Sequence, residues 1–137
     1  MKQFELNIVS QEQQVYCGLA VKLFVTSLHG ELEILYGHTK LLAQLAPAPV
    51  WIEKSDFSKE ALVMFGGVLE VQPSKCIILA DTAMRAADLD KVKALKAKRD
   101  AEQILLQKGR GIDYEAIRAE IAFASAQLKV IRHLLGR

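Results

Sequence analysis

The stretch FGGVLEVQPSKCIILADTAMRAADLD, residues 65–90, decides how the chain is read. Two strand-like runs rich in Val, Ile and Leu flank QPSK, where proline and serine favour a turn. At Met84–Asp88 the strand period gives way to helical spacing. Gly66-Gly67 is followed by a strand and not by a helix, so the pair reads as a hairpin turn and not as a nucleotide loop. No residue in the stretch is set up for catalysis, so the junction reads as structural.

Working toward the N-terminus, alternation of period two dominates. Phe4, Leu6 and Ile8 point one way in QFELNIV, and Leu19, Val21, Leu23 and Val25 do so in LAVKLFVT. LHGE, PAP and KSDFSK interrupt the pattern at short intervals. Many short strands with frequent turns favour an antiparallel sandwich or barrel over a parallel α/β sheet. Pro47 and Pro49 cannot donate to a ladder, so the strand entering VWIE starts after them or lies at an edge. Toward the C-terminus, Asp88 is the expected N-cap of a helix running to about Gln107, with Asp90 adding negative charge to its first turn. KGRG breaks that helix, and Asp113 caps a second one. Tyr114, Ile117, Ile121, Ala124, Leu128, Ile131 and Leu135 alternate in spacings of three and four, the seam of a helix packed on another helix. Ala94, Ala97, Ala101 and Ile104 supply the facing seam. An alanine-rich seam buries little area, so the hairpin is expected to be marginal alone and to lean on the strands, on a partner, or on each in turn.

The fold class is therefore α+β: an N-terminal antiparallel β-sandwich at residues 1–84, then a two-helix antiparallel hairpin at 85–137. Charge divides at the same place. Residues 1–84 carry six lysines against nine acids, a net of −3, whereas residues 85–137 carry twelve Lys and Arg against seven acids, a net of +5. Hydrophobic residues make up 51% of the 137 and charged residues 25%, a balance that excludes a disordered chain. MKQFELNIVS has no long apolar run behind its lysine, and CIILA is too short to cross a bilayer, so neither a signal peptide nor a membrane span is expected. Cys17 and Cys76 lie in strand-like runs and read as buried, reduced thiols of a cytosolic protein.

Motifs for common chemistry are absent: no G-x-x-x-x-G-K-[ST], G-x-S-x-G, C-x-x-C or H-E-x-x-H occurs. His29, His38 and His133 are too scattered to propose a metal site. Glu70 and Asp81 read as solvated strand carboxylates, and a small hydrolase would need them as an acid pair. Lys91, Lys93, Lys96, Lys98 and Arg99 are explained most simply by a solvated helix face. An acidic protein surface comes next and nucleic acid last, because aromatics are few and acids interrupt the charge. A sandwich adaptor that uses the basic hairpin on nucleic acid or on an acidic protein is the alternative function.

FGGVLEVQPSKCIILADTA, with NIVSQEQQVYCG, GELEILYGHTKLLAQLAP, LDKVKALKAKR and AEIAFASAQLKVI, resembles the ε subunit of bacterial ATP synthase along essentially the whole chain. The resemblance implies about ten strands in two sheets followed by the helical hairpin. It implies a non-catalytic subunit on the cytoplasmic face of the inner membrane, peripheral and not inserted. There it couples the γ stalk to the c ring during ATP synthesis from a proton gradient. It further implies that the hairpin inhibits ATP hydrolysis by extending toward a β subunit. Glu31 and His38 are nominated as c-ring contacts, although Glu33 and Tyr36 depart from the family's usual glycine and proline in that loop. Lys129 and Arg132 are nominated for the inhibitory contact. A weak ATP site would involve Asp90, Lys93 and Ala94. Lysine at 93 stands where the family's nucleotide-binding members have arginine, and it lacks the planar bidentate grip on phosphate. Ser125 and Lys129 likewise stand where arginines are expected. No cofactor and no nucleic-acid partner follow.

Overall fold

We describe the chain from a computed structural model that covers residues 2–107 and 109–135. Its strands are β1 (Phe4–Ser10), β2 (Gln14–Ala20), β3 (Lys22–Ser27), β4 (Gly30–Leu35), β5 (Leu41–Leu45), β6 (Ala48–Glu53), β7 (Lys59–Gln72) and β8 (Lys75–Arg85). A single 3-10 turn (Ala86–Asp88) leads to α1 (Lys91–Gln107) and α2 (Tyr114–Leu134). The strands form one mixed sheet in the order β2-β1-β8-β7-β5-β3-β4, with β6 joined to β3 and β7. The sheet folds over on itself because β7 and β8 are long enough to serve both layers. The first half of β7 pairs with β6 from Lys59 to Met64, and its second half pairs with β5 from Gly67 to Val71.

Three expectations change here. The described strands number eight, not the about ten that the resemblance implies: β7 runs unbroken for 14 residues through a bend, and β8 for 11. Gly66-Gly67 is that bend and not a hairpin turn: the register with β8 slips there, and the chain continues in the same strand. A Cβ on Gly67, at φ +150°, would overlap the carbonyl oxygen of Leu79, so only glycine lets β7 and β8 cross so closely. Finally, the sandwich is not wholly antiparallel, since β1 runs parallel to β8 from Glu5–Lys75 to Ser10–Ala80. Pro49 lies within β6, at a position paired to β7 alone, while β3 joins β6 only at Trp51–Glu53. The strand is half an edge where the missing N–H falls.

The inward rows of both layers form one core. Phe4, Leu6 and Ile8 of β1 alternate inward as expected and meet Leu23, Val25, Ile34, Ile52, Met64, Leu69, Val71 and Ile78. Leu19 breaks the expected alternation: it is 51% exposed, because β2 ends at Ala20 and both Ala20 and Val21 are buried at the step into β3. Cys17 shares that outward row and is exposed, against expectation, whereas Cys76 is buried. Asn7 pairs with Cys17 and Leu6 with Cys76, so the two thiols occupy opposite faces of the sheet and cannot bridge. Burial pushes the Cys76 thiol up to about 11.

Helix ends follow from their caps. Asp90, not Asp88, caps α1, its Oδ1 accepting from the backbone N–H of Val92 at 3.0 Å and of Lys93 at 3.2 Å. Asp88 ends the 3-10 turn instead. Asp113 caps α2 as expected, accepting from Ala116 N–H at 3.1 Å. Gly109, Arg110 and Gly111 of the KGRG break connect the helices, Gly111 at φ +80°, and Lys108 lies outside the described residues.

Candidate functional site: the helix seat and the outer strand face

The helices pack on each other, and α2 in turn lies on β6 and β7. Along α1 the seam is Ala94 and Ala101, buried, with Leu95, Lys98, Ile104 and Leu105 half-buried. Ala97 is exposed, a correction to the expected seam, and the neighbouring Lys98 is half-buried instead, as a long aliphatic stem with a solvated head allows. On α2 the expected positions from Tyr114 to Ile131 are all buried or half-buried, and Leu135 is exposed.

A second stripe on α2 meets the strands. Ala126 and Val130 join Ala61 and Val63 of β7 in a buried cluster separate from the main core, with Phe123, Trp51 and Leu89 against it. Two edge-on aromatic contacts flank the cluster, Phe65 with Phe123 at 5.1 Å between ring centres and Trp51 with His133 at 4.7 Å. Among the described residues no salt bridge joins the helices to the strands. The seat therefore rests on two buried valines, at about 1.5–3 kcal/mol each for full burial, together with the half-buried rings of Trp51 and Phe123, Leu89 and the alanine methyls. The three-four-three spacing of Phe123, Ala126, Val130 and His133 was visible in the sequence, but the stronger Ile and Leu seam beside it masked this stripe.

Beside α2 opens a cleft of about 530 Å³ lined by Phe24, Glu31, Glu33, Trp51, Lys129 and His133, among others. Two nominated residues from different parts of the chain, Glu31 and Lys129, thus come together in it. Arg132 is exposed on α2, and His38 lies elsewhere, in the loop beyond the far end of β4, its ring Nδ1 2.7 Å from the carbonyl oxygen of Thr39. Glu31 and His38 therefore flank opposite ends of a six-residue strand, roughly 17–20 Å long. Glu33 pairs with Lys22 at 3.7 Å. Asp90 and Ala94 already have structural duties, as the cap of α1 and in the helix seam, while Lys93 is exposed.

The basic helix face is not continuous. Lys96 is tied to Asp100 at 2.8 Å, a contact that raises the lysine's affinity for its proton, and Lys98 is half-buried in the hairpin. Glu70 and Asp81 are both exposed, and since Glu70 pairs with Ile77, four residues before Asp81, they do not form an acid pair. Among the described residues no group of His, Cys, Asp or Glu is placed to hold a metal ion, and no helix is long and apolar enough to cross a membrane.

The outer face of the first layer carries an apolar strip that the sequence did not flag. The pairings Val9–Leu79, Leu79–Val68, Leu42–Glu70 and Glu70–Ile77 set Val9, Ile77, Leu79, Val68 and Leu42 on one surface across β1, β8, β7 and β5, with the exposed carboxylate of Glu70 between Leu42 and Ile77. Leu42 is 72% and Leu79 59% exposed. Alternation predicts which residues share a face; it does not say that both faces of a layer are apolar.

Comparison with known proteins bears on this arrangement. Residues 3–86 match the family model described as ATP synthase, Delta/Epsilon chain, beta-sandwich domain, and residues 87–132 match that of the long alpha-helix domain of the same chain. Among solved structures, one chain in a cryo-EM structure of the Euglena gracilis mitochondrial ATP synthase superposes with a TM-score of 0.84 at 19% identity, covering 94% of this chain and 81% of its own. A chain from the central stalk and c-ring of the Tetrahymena thermophila mitochondrial ATP synthase gives a TM-score of 0.58 at 15% identity, covering 93% and 96%. At these identities the likeness is one of fold.

Proposed function

We propose a working role for this chain, which belongs to the delta/epsilon family of ATP synthase subunits and is a non-catalytic accessory subunit. The sandwich is a mount on the central stalk, and the hairpin is a brake that rests on it. The apolar strip of Val9, Ile77, Leu79, Val68 and Leu42 seats the sandwich on the γ subunit: its exposed area favours a permanent partner over water. Glu31 and His38 contact the c ring from the two ends of β4, and the whole turns with the stalk as ATP is made from the proton gradient. The subunit works at the cytoplasmic face of the inner membrane, peripheral and without insertion. Nucleic acid is not a partner, a reading supported by the interrupted charge of α1.

In the braking posture the hairpin leaves β6 and β7 and extends toward the catalytic head, where Lys129 and Arg132 meet an acidic segment of a β subunit and stall hydrolysis. The carrying observation is the small seat, a four-residue buried cluster apart from the main core with no ion pair across it among the described residues. Two states close in free energy can be selected by differential contacts, and the +5 charge of residues 85–137 favours an acidic surface. ATP binds weakly if at all, because Lys93 is no substitute for arginine at a phosphate and Asp90 is engaged as a cap.

Deleting residues 88–137 tests the scheme. A folded remnant that still joins the ATP synthase, and an enzyme that hydrolyses ATP faster, are expected. Hydrolysis unchanged by the deletion, with assembly intact, would remove the brake from the proposal.

A further inference from the structure

The outer face of β4, β3 and β6 is only partly covered by α2, and the remainder is floored by rings and walled by charge. The three strands lie side by side, since Glu33 of β4 and Trp51 of β6 both pair with Phe24 of β3. Phe24 and Trp51, half-buried neighbours, form the floor of the cleft of about 530 Å³. Glu31 and Glu33 stand along the β4 wall, and Lys129 and His133, one turn apart on α2, along the other. Two strand spacings, about 10 Å, separate the β4 side from the β6 side on which α2 rests.

Most of the charge in this cleft is already answered. Glu33 pairs with Lys22 at 3.7 Å, Lys59 pairs with Glu53 at 4.0 Å, and the His133 ring is edge-on to Trp51. Glu31 and Lys129 remain. Both are exposed, they line opposite walls, and neither is in an ion pair among the described residues. An acid and a base held apart across an apolar floor complement a ligand that carries the opposite charges at its two ends. The volume is that of a small-molecule site, in which a few polar groups orient an apolar body.

We propose that the cleft binds a small zwitterion whose ammonium and carboxylate are separated by an apolar chain. The ammonium meets Glu31, the carboxylate meets Lys129, and the chain lies on Phe24 and Trp51. A polyanion is disfavoured by the two carboxylates of β4, and no residue of α1 lines the cleft, so the site is distinct from the weak nucleotide site considered at Asp90, Lys93 and Ala94. Because one contact is on β4 and the other on α2, the ligand binds the seated hairpin and not the released one, and stabilises it by mass action. Glu31 and Lys129 are also the side chains given above to the c ring and to a β subunit, so the ligand keeps the hairpin down on the unassembled chain. That consequence rests on the proposed function, whereas binding rests on the cleft alone.

The experiment is calorimetry of the full chain with aminocaproate as the probe. Caproate lacks the ammonium, hexylamine lacks the carboxylate, and leucine, an isomer of the probe, carries both charges on one carbon. Aminocaproate should bind with a dissociation constant of about 1 mM, ordinary for a ligand of nine non-hydrogen atoms, and the other three at least about tenfold more weakly. Glu31→Gln and Lys129→Gln, at exposed positions where melting should not change, should each weaken aminocaproate about tenfold or more. No saturable heat with aminocaproate, equal binding of any of the three analogues, or undiminished binding by either variant would overturn the site. Hydrogen exchange in saturating aminocaproate should slow in α1 and α2 and not in β1 or β8. Binding with helix exchange unchanged would overturn selection of the seated posture and leave the cleft site standing.

Discussion

Val130→Ala probes the seat most directly. Val130 is fully buried between α2 and β7, packed with Ala61, Val63 and Ala126, and it lies off the seam that joins the two helices. The substitution removes two methyl groups, at about 0.8 kcal/mol each for transfer, and adds a small cavity term, for about 2 kcal/mol in all. Alanine is the better helix former, so the helix itself is not weakened in either posture. The whole loss therefore falls on docking and raises the ratio of released to seated hairpin roughly thirtyfold. Hydrogen exchange reads this directly: amides of α1 and α2 should exchange faster by about that factor while those of β1, β3 and β8 are unchanged. Trp51, the chain's single tryptophan, should report the same event by a red-shifted emission as it loses His133. Ile78→Val in the main core is the control, costing about 0.5–1.5 kcal/mol spread over strands and helices alike. Should Val130→Ala accelerate exchange equally in strands and helices, the hairpin would be part of one cooperative unit and the two-posture argument would be wrong.

The two thiols should separate cleanly: in the folded protein at neutral pH a maleimide modifies exposed Cys17 and leaves Cys76 untouched. Because burial raises Cys76 from 9.0 to about 11, its contribution to stability is complete below pH 9 and is lost as pH climbs toward 11; alkaline melting curves of Cys76→Val should lack that component. Gly67→Ala should cost about 3 kcal/mol or more, since the added methyl overlaps backbone at the β7–β8 crossing, and the variant should express poorly or melt far lower. Calorimetry of the isolated chain with ATP should give no saturable heat, whereas Lys93→Arg restores one of the missing phosphate forks; tight binding by the wild type would contradict the assignment.

Much of this architecture was legible because it rests on local rules. Alternation found the inward row of β1, the helix formers after Met84 found α1, and Asp113 named its own helix. What escaped depends on long-range geometry. Asp88 and Asp90 are equally good caps by residue type, and the choice fell to the 3-10 turn that consumes Asp88. Leu19 and Cys17 face outward because the chain steps between layers at Val21, a change of parity that spacing alone cannot date. Gly66-Gly67 looks the same in sequence whether the chain reverses or merely bends. Of the site, Glu31 and Lys129 were nominated separately, and their common cleft emerges only once α2 is laid across β6 and β7.

The parallel pairing of β1 with β8 has a consequence for synthesis. Residues 5–10 wait for residues 75–80, so at roughly 5–20 residues per second the ribosome must run on for about 4–14 s before the first strand gains its second neighbour. Until then one side of β1 is an unsatisfied edge, and such distant pairing slows folding. The helices emerge after the strands, onto a sheet that can already be closed, so the nascent sandwich can be finished before the hairpin exists.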